Sequence, residues 1–268
     1  MSDETNRPLD VITPATPMLD DLRRFTAARV GLGRAGSGLP TAAHLKFTLD
    51  HARARDAVWS AIDARGLAGE IANRGYPVAV VASEAGDRAT YVRRPDLGRA
   101  LAPANAALLR AKLGTARIVA VIADGLSAAA VSANALPTID AVAARLEAYG
   151  LAVDAIVIAE QGRVAIGDPI GAALEAELVI VLIGERPGLS AADSLGCYIT
   201  YRPAEGIPDS ARNCVSNIRP GGLAPRDAAF KIAWLTREAL RLGLTGIDLK
   251  EDSAAELDTS PAAPLIEG

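Results

Sequence analysis

Two histidines, two cysteines and three phenylalanines in 268 residues leave few of the groups from which active sites are usually built. With only His44 and His51, a histidine-based metal centre lacks ligands. With only Cys197 and Cys214, a disulfide framework is excluded. The longest uninterrupted apolar runs, Ile118–Ala123 and Leu178–Ile183, fall far short of the roughly 20 residues that a membrane span needs. No charged start followed by an apolar stretch stands at Met1, so no secretory signal is expected. A net charge of −4 removes the basic footprint of a nucleic-acid binder. No Ser-His-Asp order, zinc spacing or P-loop occurs. The expectation is a soluble cytoplasmic protein with no catalytic residues and no metal site of its own.

Half of the residues are hydrophobic, enough for a substantial core. Residues 1–17 are polar and proline-broken and read as a disordered arm, as does the acidic tail, 251–268. Between them the texture changes once. From 18 to 75 the pattern is helical: Leu22, Phe25, Thr26 and Arg29 fit a short helix. Pro40 opens a long second one whose apolar stripe runs through Leu45, Leu49, Ala52, Val58, Trp59 and Ile62. From 76 to 250, β-branched runs at Val78–Val81, Ile118–Ile122, Ala155–Ile158 and Leu178–Ile183 are separated by helical patterns, Asp96–Lys112, Thr138–Tyr149 and Asp168–Glu175. A last helix is expected at about Pro225–Leu242. Strands apolar throughout fit a parallel sheet buried on both faces. The fold class is therefore α/β: a small N-terminal helical part followed by a doubly wound parallel-sheet domain.

Open parallel sheets bind ligands beyond the carboxyl ends of their strands. Those ends carry Asp124-Gly125-Leu126-Ser127, Glu160-Gln161-Gly162-Arg163-Val164 and Gly184-Glu185-Arg186-Pro187-Gly188. A fourth polar stretch, Arg212 to Arg219, follows no clear helix. Each alone reads as ordinary loop chemistry, with Glu185 pairing Arg186; together on one edge they point to a surface of amides, hydroxyls and backbone groups. Gly31, Gly33 and Gly36 form a literal G-x-G-x-x-G, the basis of an alternative reading as a stand-alone nucleotide-binding oxidoreductase. That motif carries meaning only after a strand and opening a helix. A helical segment precedes it here, which favours a glycine hinge. His51 with Asp50, Arg53, Arg55 and Asp56 reads as an interface constellation or, more simply, an ion-paired solvated helix face. Arg93-Arg94-Pro95-Asp96-Leu97-Gly98-Arg99 fits either an anion clamp or a plain Asp96 N-cap. Both cysteines are expected to be small buried hydrophobes.

The same stretches carry a resemblance. Thr26-Ala27-Ala28-Arg29-Val30 leads into Gly33-Arg34-Ala35-Gly36. Asp50 to Asp56, Arg94-Pro95-Asp96-Leu97-Gly98-Arg99 and Asp124-Gly125-Leu126-Ser127 follow. Gly184 to Leu189, Asp193-Ser194-Leu195 and Arg212-Asn213-Cys214-Val215-Ser216-Asn217-Ile218 complete the order. From about Leu19 to Lys250 the chain resembles the small (light) subunit of adenosylcobalamin-dependent ethanolamine ammonia-lyase. The resemblance implies a Rossmann-like domain in a hetero-oligomer. That enzyme is a lyase of ethanolamine degradation, giving acetaldehyde and ammonia through cobalt–carbon homolysis and a deoxyadenosyl radical. The large subunit, a TIM barrel, holds ethanolamine and the catalytic residues, and the small subunit completes the cobalamin site. The resemblance carries cofactor contacts onto Val164, Glu185 and Cys214. Neither His44 nor His51 lies in an Asp-x-His-x-x-Gly motif: Leu49 and Ala54 flank one, Ala42 and Phe47 the other. Adenosylcobalamin is therefore expected base-on. Some family members carry a longer amphipathic N-terminus linked to packaging in a bacterial microcompartment; the short, proline-broken arm here leaves both packaging and a free cytoplasmic enzyme open as expectations.

Overall fold

The computed structural model describes residues 22, 24–26 and 28–255. The expected N-terminal arm lies outside the described residues, as do much of the expected first helix and the tail from 256. The described start of that tail is not free: Glu251 meets Lys231 at 2.5 Å and Ser253 is buried. The chain divides into two compact units, the first ending at Asp56 and including Gly188–Ala192, the second comprising Ala57–Pro187 and the residues from Asp193.

In the first unit, helix α1 (Thr41–Trp59) begins just after Pro40. It is shorter than expected. Ser60 turns back onto the Ala57 carbonyl at 2.8 Å, and Asp63 caps a separate helix, α2 (Ala64–Asn73), by accepting from the Gly66 amide. The stripe expected to pack on α1 is open, with Leu45 62% and Leu49 49% exposed. Ile62 and Ile71 instead join the sheet's core, so the sheet unit begins near residue 57 rather than at the expected 76. Asp50 takes Arg29 at 2.7 Å and Lys46 at 3.1 Å, which holds its carboxyl below the usual range, the Lys46 hydrogen bond contributing most. His51 stacks on Phe47. Gly31, Gly33 and Gly36 adopt positive φ, and Ala35 and Gly38 close a turn around the last of them. Among the described residues no strand precedes this loop, so the context for dinucleotide binding fails.

The second unit is a six-stranded sheet in the order β1-β3-β2-β4-β5-β6. Strands β1 (Val78–Ala82), β2 (Ile118–Ala123), β3 (Ala155–Glu160) and β4 (Leu178–Gly184) are parallel, as their apolar runs predict. Between β1 and β2 stand α3 (Arg88–Arg93) and α4 (Pro103–Leu113); α5 (Ala128–Ala148) and α6 (Gly167–Ala173) make the other crossovers. α5 starts ten residues before the expected Thr138, because its first turns are alanine-rich and Pro137 lies within it. Two further strands were not expected. β5 (Leu195–Tyr201) and β6 (Asn213–Ile218) are antiparallel and extend the sheet past β4, so the polar stretch after Arg212 is strand rather than loop. α7 (Pro225–Leu242) closes the unit as expected.

Alternating strand residues feed two cores. One, under α2, α5 and α7, includes Ile118, Ile156, Ile180, Leu195, Cys197, Ile199 and Val215. The other, under α4 and α6, takes Val119, Val157, Val179 and Val181. The doubly wound architecture is therefore realised, with an antiparallel pair added at one edge. At the carboxyl ends, Gly125 has φ +56°, and a Cβ on it would overlap the Gly184 carbonyl oxygen. A Cβ on Gly184 would strike the Ser127 carbonyl. The Leu126 amide donates to that Gly184 oxygen at 2.9 Å, which locks the β2 and β4 ends together.

Candidate functional site

The site is where the second core stops. α4 and α6 cover that face of β1–β4, but on β5 and β6 the same face carries Gly196, Tyr198, Cys214 and Ser216. Tyr198 opposes Val181 on one side and Cys214 on the other. Its hydroxyl is the side-chain partner of the Cys214 thiol, and desolvation pushes its ionisation well above the usual phenol range. Cys214 is exposed, contrary to expectation, and burial of its sulfur's surroundings raises its pKa, with Tyr198 working against the shift. Cys197, on the opposite face, is fully buried as expected.

Glu185 stands at the top of this face. Ser194 Oγ donates to its Oε2 at 2.5 Å and the Asn217 amide at 3.3 Å. Among the described residues it forms no ion pair with Arg186, so the simple surface pairing does not occur. Its Oε1 accepts no hydrogen bond among the described residues and lies beside Gly196, where a Cβ would come within 3.0 Å of it and 3.3 Å of the Tyr198 ring. Glycine at 196 thus keeps the carboxylate and the phenol next to each other. On the near side, Val164 opens the short turn Val164–Ile166 and lines a cleft of about 370 Å³ with Tyr198. The three residues singled out by resemblance, Val164, Glu185 and Cys214, are thereby gathered around Tyr198, which sequence reasoning missed. The alternation of Leu195, Cys197 and Ile199 with Gly196, Tyr198 and Thr200 was the available signal.

The loop before Val164 is clamped. Gln161 takes φ 54°, and its carbonyl accepts from Ser83 Oγ at 2.7 Å. The Gly162 amide donates to Asp124 Oδ1 at 3.1 Å, and the Tyr91 hydroxyl donates to the Gly162 carbonyl at 3.1 Å. Tyr91 is held between the guanidiniums of Arg88 and Arg163, 4.6 and 4.2 Å from its ring centre, and burial lifts its phenol to about 12. Asp124 is buried, which pushes its carboxyl up to about 6 despite Arg88 at 3.5 Å. Asp96 does not cap the turn Leu97–Arg99; it pairs with Arg94 through both oxygens.

What the face can do chemically follows from its groups. Carboxylate, thiol, phenol and backbone offer hydrogen bonds and van der Waals contact, and no histidine belongs to the sheet unit. Among the described residues no group of three or more His, Cys, Asp or Glu is placed to hold a metal, and no helix is long and apolar enough to cross a membrane.

Comparison with known proteins gives one answer. The ethanolamine ammonia-lyase light chain family profile matches residues 17–250. The ethanolamine ammonia-lyase small subunit of Rhodopseudomonas palustris (strain BisA53) is 52% identical over 249 residues, covering 92% of this chain and 95% of its own. That of Azotobacter vinelandii is 50% identical over 248 residues, covering 91% and 92%. That of Xanthomonas campestris pv. campestris (strain B100) is 50% identical over 266 residues, covering 94% and 97%. With a match that spans most of the sheet unit and its flanks, the chain belongs to the ethanolamine ammonia-lyase light chain family.

Proposed function

We propose that this chain is the small subunit of an ethanolamine ammonia-lyase and completes an adenosylcobalamin site, with the catalytic residues on a large subunit. The observation that carries this is the β5–β6 sheet face, where Val164, Glu185 and Cys214 meet around Tyr198 beside a cleft. A corrin rim bears primary amides, and these residues fit it: Glu185 Oε1 accepts amide N–H groups, and Val164, Tyr198 and Cys214 supply packing. When bound, the cofactor supplies the radical chemistry that turns ethanolamine into acetaldehyde and ammonia. This chain's residues bind and orient it. Glu185 is fixed by Ser194 and Asn217 before any ligand arrives, and the Asp124–Tyr91 clamp fixes the peptide ahead of Val164. Neither histidine belongs to the unit that carries the face, which supports a base-on cofactor.

The test has two parts. The chain alone should form no acetaldehyde from ethanolamine and added adenosylcobalamin, whereas mixing with the large subunit should restore turnover; sustained turnover by the single chain would sink the reading. In the assembled enzyme, Glu185→Ala should weaken cobalamin binding by about 1–3 kcal/mol, the range for a hydrogen bond to a charged group.

A further inference from the structure

Arg88 stands behind the Val164 turn and touches most of what holds it. It opens α3 just after the Asp87 cap, and its side chain is 11% exposed. Its Nε donates to the Val58 carbonyl at 2.5 Å, in the last turn of α1, where helix carbonyls lack an intrahelical partner. One terminal nitrogen donates to Gln161 Oε1 at 3.2 Å and lies 3.5 Å from Asp124 Oδ2. The guanidinium also covers the Tyr91 ring at 4.6 Å. Asp124 and Tyr91 are the groups that grip Gly162, one by its amide and the other by its carbonyl. Arg88 itself does not line the cleft beside Val164. Its other terminal nitrogen is buried without an acceptor, a cost that native interiors seldom carry.

A capped helix end would account for Arg88 if Val58 were its one partner. The conformation of Gln161 points further. Its φ of 54° lies in the left-handed region, where a long side chain is disfavoured. Glycine would adopt that backbone freely. Glutamine stands there instead, and its side-chain oxygen accepts from Arg88. The neighbours over-determine the strained residue: Ser83 Oγ holds its carbonyl, Arg88 its side chain and Asp124 the following amide. Strain kept in this way gathers at functional turns. The path beyond is equally fixed. Gly162 has little room for a Cβ, which would stand 3.0 Å from that of Ala123 and 3.3 Å from the Ala159 carbonyl oxygen. The Arg163 amide donates to the Gly98 carbonyl at 2.7 Å, and Val164 follows.

We infer that Arg88 is a positioning residue for the cofactor, holding the turn from Gln161 to Val164 in its left-handed path without lining the cleft. The inference rests on the cofactor reading of the adjoining face and deepens it. A turn already set when the ligand arrives spares the ordering that binding would otherwise require. Arginine suits the task because its planar fork reaches Gln161 and Asp124 from one end while Nε keeps Val58. Its loss should appear in the affinity for cobalamin.

The test is equilibrium dialysis of cobalamin with the assembled two-chain enzyme, alongside turnover. Arg88→Gln should weaken cobalamin binding by about three- to tenfold, the size of one lost charge-assisted contact. The loss should fall on cobalamin affinity and not on the KM for ethanolamine, which a general loosening of the enzyme would raise too. Gln161→Gly leaves the left-handed path open but removes the tie, and should weaken binding by a similar factor. The double variant should bind no more weakly than Arg88→Gln alone. Amides from Gln161 to Ile166 should exchange hydrogen faster in both single variants without cobalamin, and slow when it binds. Wild-type affinity in folded Arg88→Gln would leave Arg88 a helix cap, and fully additive losses would mean that the two residues act separately; either overturns the proposal. Should Arg88→Gln fail to assemble, Gln161→Gly decides alone: weaker binding at an unchanged thermal midpoint supports the role, and unchanged binding overturns it. Failure of the cofactor reading looks different, because Glu185→Ala and Cys214→Trp would then leave cobalamin affinity unchanged as well.

Discussion

The two faces of the β5–β6 pair differ in what covers them. On one, Leu195, Cys197, Ile199, Val215 and Ile218 are buried under α7. On the other, Gly196, Tyr198, Cys214 and Ser216 are polar or small, and Cys214 and Ser216 are exposed. A parallel α/β unit covers both faces through its crossovers, because each crossover lays a helix on the sheet. An antiparallel hairpin needs no crossover, so its faces are covered only if something else arrives. Adding β5 and β6 after the last crossover helix therefore made an open face without exposing the first four strands. On the proposed reading the covered side serves stability and the open side binding, and substitutions should separate them.

The largest effect should come from the ion pair beneath the open face. Asp168→Ala would strand Arg212 at 1% exposure and should destabilise the protein by about 3–5 kcal/mol in urea unfolding, the cost of an uncompensated buried charge. A loss below about 1 kcal/mol would mean that Thr200, Asp209 and solvent hold Arg212 unaided. On the covered face, Ile199→Ala should cost about 3 kcal/mol through the cavity left against α7 while leaving the cofactor affinity of the folded, assembled enzyme unchanged.

A third effect concerns Asp124, which fastens the Val164 loop. Its folded pKa of about 6 stands above the unfolded 3.8, so between these values the folded state binds the additional proton. This group's contribution to stability therefore rises as pH falls through about 6, and levels off below 3.8. On the order of 1–3 kcal/mol of pH dependence should vanish in Asp124→Asn, measured as the difference between its urea midpoints and those of the wild type across that window. Parallel profiles for the two proteins would show that Arg88 already cancels the burial. The smallest effect sharpens the comparison best. Cys214→Ser should change stability by under about 0.5 kcal/mol, as exposed substitutions do. Thiol reagents should modify Cys214 and spare Cys197 until unfolding, at a rate that climbs with pH past the ordinary thiol range because both pKa values are raised. Cobalamin bound to the assembled enzyme should slow the labelling of Cys214.

The same contrast decides what could be read from the sequence. Strands buried on both faces announce themselves, and Val78, Ile118, Ala155 and Leu178 each mark the start of one. β5 and β6 escaped because only alternate residues are apolar, and the register irregularity opposite Leu195 and Cys197 sets Val215 and Ile218 three residues apart in β6. Arg212, polar in every local sense, is a core residue only because Asp168, far away in the chain, meets it. The stripe on α1 misled in the opposite sense: Leu45 and Leu49 have the spacing of a buried face but are open. Val164, Glu185 and Cys214 came through resemblance to a family; their common neighbour, Tyr198, became visible only when the strands were paired.

The glycines at the strand ends have a consequence for how such a surface can change over generations. Gly125 and Gly184 exclude each other's substitution, since a methyl group at either would displace the carbonyl that anchors the neighbouring turn. A library randomised at both positions should return glycine at both. Drift at this edge is therefore confined to side chains that stand on an invariant backbone, and the spacing between the Asp124 and Glu185 turns is inherited as one unit. New ligand preferences would have to arise by exchanging what those turns carry, never by moving the turns themselves.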